Sequence, residues 1–526
     1  MKKGRLISPL LAALAFTNVD AQTATAVPRI VINITIDQLR SDYMEAFMPL
    51  YGDKGFRRLM NESRIYEQAE YPISRIDRAS AIASIVTGTT PYNHGIVSEQ
   101  WLDRQTLRPV YCVDDAHYKG LNTTEQSSPI HLGVSTLGDE LKVATDGKAI
   151  VYAIAPFRDA AVLNAGHAAN AAIWINDETG AWCSSSFYGV LPSWVTVNNE
   201  YQALGKKINS ISWQPSSELV GNFNYFPSGG MKKPFHYKFK DIRSFRNFKT
   251  SGLVNEQISS LTEECLRSTT IGTDGITDYL SLTFYAGNYE HKPANDHPME
   301  LQDIYVRLDK ALGNVIDAVE SKIGKDAAIF VITSTGYTDE ETSDLSKYRI
   351  PTGTFYINRT TSLLNMYLIA VYGQGNYVEA CLGGQIYLNH KLLEQKQLNL
   401  TEVMERAQDF LIQNTGVKDV YSSHRLQLGA WTPGISRLRN SYNTKCSGDI
   451  MIEVAPGWRL KNEDTKEEIL VRESFVPFPI FFYGFSIKAE RISTPVTVDC
   501  IAPTLANAMR IRAPNACSAA PLTRFR

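Results

Sequence analysis

The sequence predicts an α/β sandwich built on a mostly parallel central sheet. Three observations predict it. Short continuous apolar runs recur along the chain, each ending in a small or polar residue, as strands buried on both faces do. Stretches with apolar residues at helical spacing lie between them. The two kinds alternate, which is the order of an α/β fold rather than of separate all-α and all-β parts.

Taken in order, residues 1–21 read as a secretory signal peptide. Lys2, Lys3 and Arg5 form a basic start, Leu6 to Phe16 an apolar run, and Val19 and Ala21 the small residues before a cut at Gln22. That apolar run is too short to span a bilayer, and no later run is long enough. No Cys follows it, so a lipid anchor is not indicated, and a periplasmic or secreted protein is expected. Residues 22–526 are then one domain with insertions.

The run IVINITID ends abruptly at Asp37. A central parallel strand delivers a polar side chain to the carboxyl edge of its sheet in this way. GFRRLMNES (55–63) reads as a helix end. AIVYAIAP (149–156), AAIFVITSTG (327–336) and PIFFYGFSI (479–487) are further buried-strand runs, and DIYVRLDKALGNVIDAVESKI (303–323) is an amphipathic helix. Two regions break the alternation. Residues 175–245 are rich in aromatics, Asn, Ser and Gly; residues 350–447 hold a long apolar stretch and a helical pair around LTEVMERAQDFLIQNTG. Both are expected to be insertions capping the carboxyl edge of the sheet.

Hydrophobic residues are 44% and charged residues 21% of the 526, ordinary values for a chain with a sizeable core. The formal net charge of −2, without a long block of one sign, gives no basic surface for nucleic acid. Seven cysteines are widely spaced with no CxxC pair, which argues against a cysteine zinc site. Export permits disulfides, but an odd count leaves at least one thiol unpaired.

The segments ITIDQLRSDY (34–43), GFRRL, TGTTPYNHGIVSEQWLDRQT (87–106), VYCVDD, LNAGHAANAAIWIND, SGDIMIEVAPGW and DCIAPTLANAMRI resemble, in order, the alkaline phosphatase superfamily. The branch they look most like is the bacterial alkaline phosphatases related to the type I phosphodiesterases and nucleotide pyrophosphatases. The resemblance runs from about Val27 to Leu522 and implies that family's α/β/α sandwich. It also implies two zinc ions held by Asp and His, a Thr or Ser nucleophile, and in-line displacement at phosphorus.

Carried over residue by residue, the implied site is largely substituted. Asp37 keeps the strand-end ligand. The nucleophile position, six residues after the loop proline Pro72 and nine before Thr87, is Arg78, a guanidinium with no nucleophilic form. Ser74 and Ser80 are out of register with it. The position of the phosphate-contacting Asn is Glu99. The Lys-x-Arg clamp becomes Phe157 and Asp159, with Arg158 between them. Of the Asp-x-x-x-His pair, His291 remains but Gly287 stands four before it; the next Asp-His becomes Ser334 and Thr335; the last His falls near Pro477. One carboxylate and one imidazole do not hold a divalent ion tightly.

The first reading is therefore a catalytically degenerate member with no cofactor expected, used for binding or scaffolding with an unknown envelope protein or ligand. The alternative is an active phosphomonoesterase or phosphodiesterase with two zinc ions in a rebuilt site. With zinc gone, Asp37 needs a cation, and an Asp37–Arg78–Glu99 ion network is expected where the metals would stand. Arg78 then either binds an anion or only balances Asp37. His291 is either a leftover ligand or a polar loop residue. Asp296 and His297, in a Pro-flanked loop, and the acidic run 338–344 are read as solvated loops; His94 and His167 as packing and hydrogen-bonding residues of turns.

Overall fold

The computed structural model describes residues 27–221, 234–338, 349–429, 433–470 and 476–522. The proposed signal segment and nearly all of the acidic run 338–344 lie outside the described residues.

Five strands form the parallel heart of the main sheet: Ala328–Ser334, Ile30–Asp37, Asp278–Tyr285, Val151–Ala155 and Ala171–Ile175, in that spatial order. Phe478–Gly484 runs antiparallel beside Ala328–Ser334, and Arg64–Glu70 lies antiparallel beyond it. Trp182–Ser185 extends the other edge, antiparallel to Ala171–Ile175. The strand Ile30–Asp37 is buried at every position. Successive side chains point to opposite faces. Ile30, Ile32, Ile34 and Ile36 meet the helices Leu253–Ser268 and Pro298–Ile323 on one face. Each fully buried Ile contributes roughly 1.5–3 kcal/mol. Val31 belongs to the opposite face, with the helices Arg78–Thr87 and Ile501–Met509. Asp37 has the parity of Val31, so strand alternation alone aims its carboxylate at the start of helix Arg78–Thr87.

The two insertions differ from their expected limits. Within 175–245, Trp182 belongs to a strand of the main sheet, and Trp182, Trp194 and Trp213 are buried in the principal core. Large aromatic surfaces gain most by leaving water, so the described part of this region flanks the sheet with its tryptophans inward instead of standing off as a cap. The second insertion reaches past 447. Val378–Leu382, Gln385–Leu388, Ile450–Val454 and Val417–Ser422 pair as one sheet; Thr354–Tyr356, Arg459–Asn462 and Glu467–Leu470 form another. These and the helices Ile357–Tyr372 and Leu400–Leu411 share a separate apolar core. This module meets the loop that leaves the carboxyl end of Arg64–Glu70: Asn440 Nδ2 donates to Pro72 O at 2.8 Å, Ser74 N to Ser441 Oγ at 2.8 Å, and Arg437 pairs with Glu70 at 2.6 Å. All seven cysteines are free thiols.

Candidate functional site

Three carboxyl ends of the main sheet converge on one guanidinium. After Arg64–Glu70 the loop 71–77 leads into helix Arg78–Thr87, whose Ala79, Ser80, Ala81, Ala83 and Ser84 are all buried and let it lie close on the sheet and on helix Arg158–Ala165. Asp77 caps it: its Oδ1 accepts from Ser80 N at 2.9 Å and Ser80 Oγ at 2.8 Å, while Asp77 N donates to Ser80 Oγ at 3.1 Å. Gly88, with φ of 64°, ends the helix. Ser80 is thus the partner in a cap, and Ser74 Oγ is tied to Ser441 Oγ at 3.1 Å.

Arg78 is the first residue of the helix and is 9% exposed. Its Nε donates to Asp159 Oδ2 at 2.8 Å and its Nη2 to Asp159 Oδ1 at 3.0 Å, a two-pronged pair. Nη2 also donates to Glu99 Oε1, and Nη1 reaches Asp37 Oδ2 at 3.5 Å. The guanidinium lies 4.0 Å from the centre of the Phe157 ring, whose centre is 5.5 Å from the Lys249 ammonium. Lys249 in turn pairs with Asp177 at 2.5 Å. Asp37, Arg78 and Glu99 therefore form one network. Asp159 is its strongest member by geometry and Phe157 its floor; the sequence reading gave neither that role. A signal was present: a ring and a carboxylate stand two residues apart at the carboxyl end of strand Val151–Ala155, facing an arginine that needs counter-charge.

Burial raises the Asp37 carboxyl above its usual range, and Arg78, Thr335 and Tyr337 pull it back only in part. Burial pushes Glu99 up to about 7, with Arg78 opposing and Asp159, Asp77 and Asp37 adding to the rise. Burial alone lowers Arg78, but Asp159 and Glu99 more than reverse that and hold it well above its ordinary value, firmly charged.

Of the other implied positions, Thr335 joins Asp37, while Ser334, Pro477 and His291 make their contacts elsewhere. Thr335 Oγ1 donates to Asp37 Oδ1 at 2.9 Å and accepts from Gln38 N at 2.9 Å. Ser334 Oγ donates to Leu39 O at 2.8 Å, and Pro477 O accepts from Ser41 N at 3.0 Å. His291 is exposed in the turn Tyr289–His291; its ring stands edge-on to Tyr285 at 6.5 Å, and Tyr285 is 6.1 Å from Phe157. Two rings thus separate His291 from Arg78. His297 Nδ1 is 3.2 Å from Glu300. His94 is buried against Ser84 and Ile96 N, and burial lowers it to about 3. His167 bonds Asp139 at 2.9 Å. The residues present do not fit a pair of zinc ions. Both oxygens of Asp37 are engaged, Glu99 and Asp159 are turned to Arg78, and among the described residues no group of three or more His, Cys, Asp or Glu side chains is placed to hold a metal.

Beside the network a cleft of about 550 Å³ opens between loop 74–77, residues 97–101 and the second module. Arg75 forms part of its wall. Its Nη2 donates to Ile452 O at 3.3 Å, and it runs past the Gly383–Gly384 turn, where a Cβ on Gly384 would lie 2.5 Å from Nη2. Burial lowers Arg75, and Glu467 and Glu453 partly restore it.

The family model for type I phosphodiesterase/nucleotide pyrophosphatase matches residues 31–475. Alkaline phosphatase PafA of Elizabethkingia meningoseptica is 28% identical over 531 residues, covering 96% of this chain and 96% of that protein. Alkaline phosphatase PhoV of Synechococcus elongatus is 26% identical over 507 residues, covering 93% of this chain and 91% of that protein. The crystal structure of wild-type alkaline phosphatase PafA matches with a TM-score of 0.83 at 25% identity, covering 95% of this chain and 99% of that one.

Proposed function

The chain belongs to the type I phosphodiesterase/nucleotide pyrophosphatase family, and from that premise we propose that it is a degenerate, exported member that binds a ligand or partner in the cell envelope without hydrolysing phosphate esters. The observation that carries this reading is the guanidinium of Arg78, engaged with Asp159, Glu99 and Asp37. A guanidinium does not lose its proton in a protein and cannot attack phosphorus. The carboxylate of Glu99 repels a phosphate dianion. Hydroxyls near the helix start are already in use, Ser80 in the cap and Thr335 on Asp37. Export is supported by the basic-then-apolar start, Lys2 to Phe16, and membrane anchoring through a helix is not: among the described residues no helix is long and apolar enough to cross a bilayer. The near-neutral formal charge of −2 favours no nucleic-acid partner.

The competing reading is an active phosphomonoesterase or phosphodiesterase with two zinc ions in a rebuilt site; the likeness to two alkaline phosphatases favours it. Two measurements separate them. Metal analysis of the purified full chain should find far less than one zinc per molecule. Turnover of p-nitrophenyl phosphate and bis-p-nitrophenyl phosphate should not exceed the buffer rate, with or without added zinc. Stoichiometric zinc together with turnover abolished by a chelator reinstates the hydrolase.

A further inference from the structure

The cleft beside the ion network has walls and charges that define a ligand class. Its volume of about 550 Å³ lies in the range of sites that enclose a small organic molecule. Its apolar lining includes Ile76, Trp101, Tyr387, Tyr421, Met451 and Ile469. Four carboxylates line it, those of Asp77, Glu99, Glu453 and Glu467, against the single guanidinium of Arg75, so the lining carries a formal −3. Arg78 behind Glu99 and Lys418 beside Glu453 offset part of that charge, and the remainder still disfavours phosphate, nucleotides and carboxylic acids. The acids are not equally committed. Asp77 is used by the helix cap and by Glu99 N, and Glu453 pairs with Lys418 at 3.2 Å. Glu467 Oε2 accepts from Gly383 N at 3.1 Å, and Glu99 Oε1 from Arg78. Glu99 Oε2 and Glu467 Oε1 accept no hydrogen bond from any described residue. Two open acceptors on negative groups, at the edge of an apolar cleft, match the ammonium end of an organic cation.

We propose that this cleft binds an organic ammonium ligand, its cationic end directed to Glu467 and its aromatic or aliphatic body against the apolar lining around Trp101. The proposal rests on the binding reading above and names its ligand class.

Isothermal titration of the full chain at pH 8 with three indoles of one shape tests it: tryptamine (cation), tryptophol (neutral) and indole-3-propionate (anion). Tryptamine should saturate a single site. Tryptophol should bind at least about tenfold more weakly, the scale of one charge-assisted hydrogen bond. Indole-3-propionate should not bind. Glu467→Gln and Trp101→Leu, each first checked for an unchanged unfolding midpoint, should both weaken tryptamine. Propionate binding as tightly as the amine, no saturable amine binding, or an affinity indifferent to both variants overturns the assignment. Zinc content and ester turnover are independent of this readout. Amine binding by an active zinc enzyme removes only the non-hydrolase reading; an inactive chain that ignores tryptamine removes only this one.

Discussion

Arg75 and Arg78 stand three residues apart on either side of one helix cap, yet their surroundings are opposite. Arg78 meets three carboxylates and a ring face. Arg75 has no carboxylate within 4.0 Å among the described residues and donates to one carbonyl of the neighbouring module. Helix polarity does not account for this. A cation at the first turn of a helix opposes the macrodipole, so Arg78 occupies a place that disfavours its charge. Acids brought in by other strands hold it there. Asp37 and Asp159 have fully buried side chains, and each pairs with no other cation among the described residues. The difference teaches that residue type and local position do not set an arginine's role; the uncompensated charge around it does. Arg78 neutralises the sheet edge, and Arg75 ties that edge to the module above.

The largest effect therefore belongs to Arg78. Arg78→Thr leaves two buried carboxylates without a cation and should cost about 3–5 kcal/mol of stability in urea unfolding at neutral pH. It should restore neither zinc binding nor ester turnover. Arg78→Lys keeps the charge but not the two-pronged bond to Asp159 and should recover part of the loss. A loss under about 1 kcal/mol for the Thr variant means that the network carries little of the fold's stability, and the contrast with Arg75 collapses.

Gly384→Ala comes next. With φ at +77° and a Cβ 2.5 Å from Arg75 Nη2, it should cost about 1–2 kcal/mol for the left-handed backbone, plus whatever displacing Arg75 requires. Combining it with Arg75→Ala removes the second part. The double variant should therefore fall short of the sum of the singles in a double-mutant cycle. Strict additivity shows that Arg75 and the Gly383–Gly384 turn do not constrain each other. Arg75→Ala alone, losing one hydrogen bond to a carbonyl, should cost only about 1 kcal/mol.

How far this contrast was legible in the sequence differs by link. The strands Ile30–Asp37 and Ala328–Ser334 announce themselves because burial on both faces demands unbroken apolar runs. Phe478–Gly484 reads the same way yet runs antiparallel to its neighbour, since a continuous apolar run records burial and not direction. The aromatic-rich 175–245 looked like a cap because it lacks a period, but its tryptophans pack into the main core. Asp37, Arg78 and Glu99 were legible because each lies inside a segment of recognisable order. Asp159 was not. It is 81 positions from Arg78, and only the fold brings two strand ends to one point. The cleft at Arg75 was hidden for the same reason: its far wall comes from residues some 300 positions later, and no local pattern says which loop they will cover.

The smallest predicted effect is the one that tests the sharing of Arg78. A carboxylate bonded to an arginine is ordinarily held below its usual range, yet Glu99 is pushed up to about 7. Burial is the first cause; Asp159, Asp77 and Asp37 add to it, and Arg78, already divided among three acids, offsets only part. In the unfolded chain the same group titrates near 4.5. Between those values the folded state binds more protons than the unfolded one, so Glu99 makes stability fall as pH rises through that window. Glu99→Gln abolishes the titration. The stability of the variant minus that of the parent should climb from about pH 4.5 to about pH 7 and be flat outside it. The lost contact with Arg78 sets the level of that difference curve, not its slope. His94, neutral and buried in both proteins, cancels in the subtraction. The step should be modest, because the Glu99 side chain is 40% exposed and partly screened by water. A flat difference curve, or one that falls with pH, means that Arg78 serves Glu99 as fully as it serves Asp159.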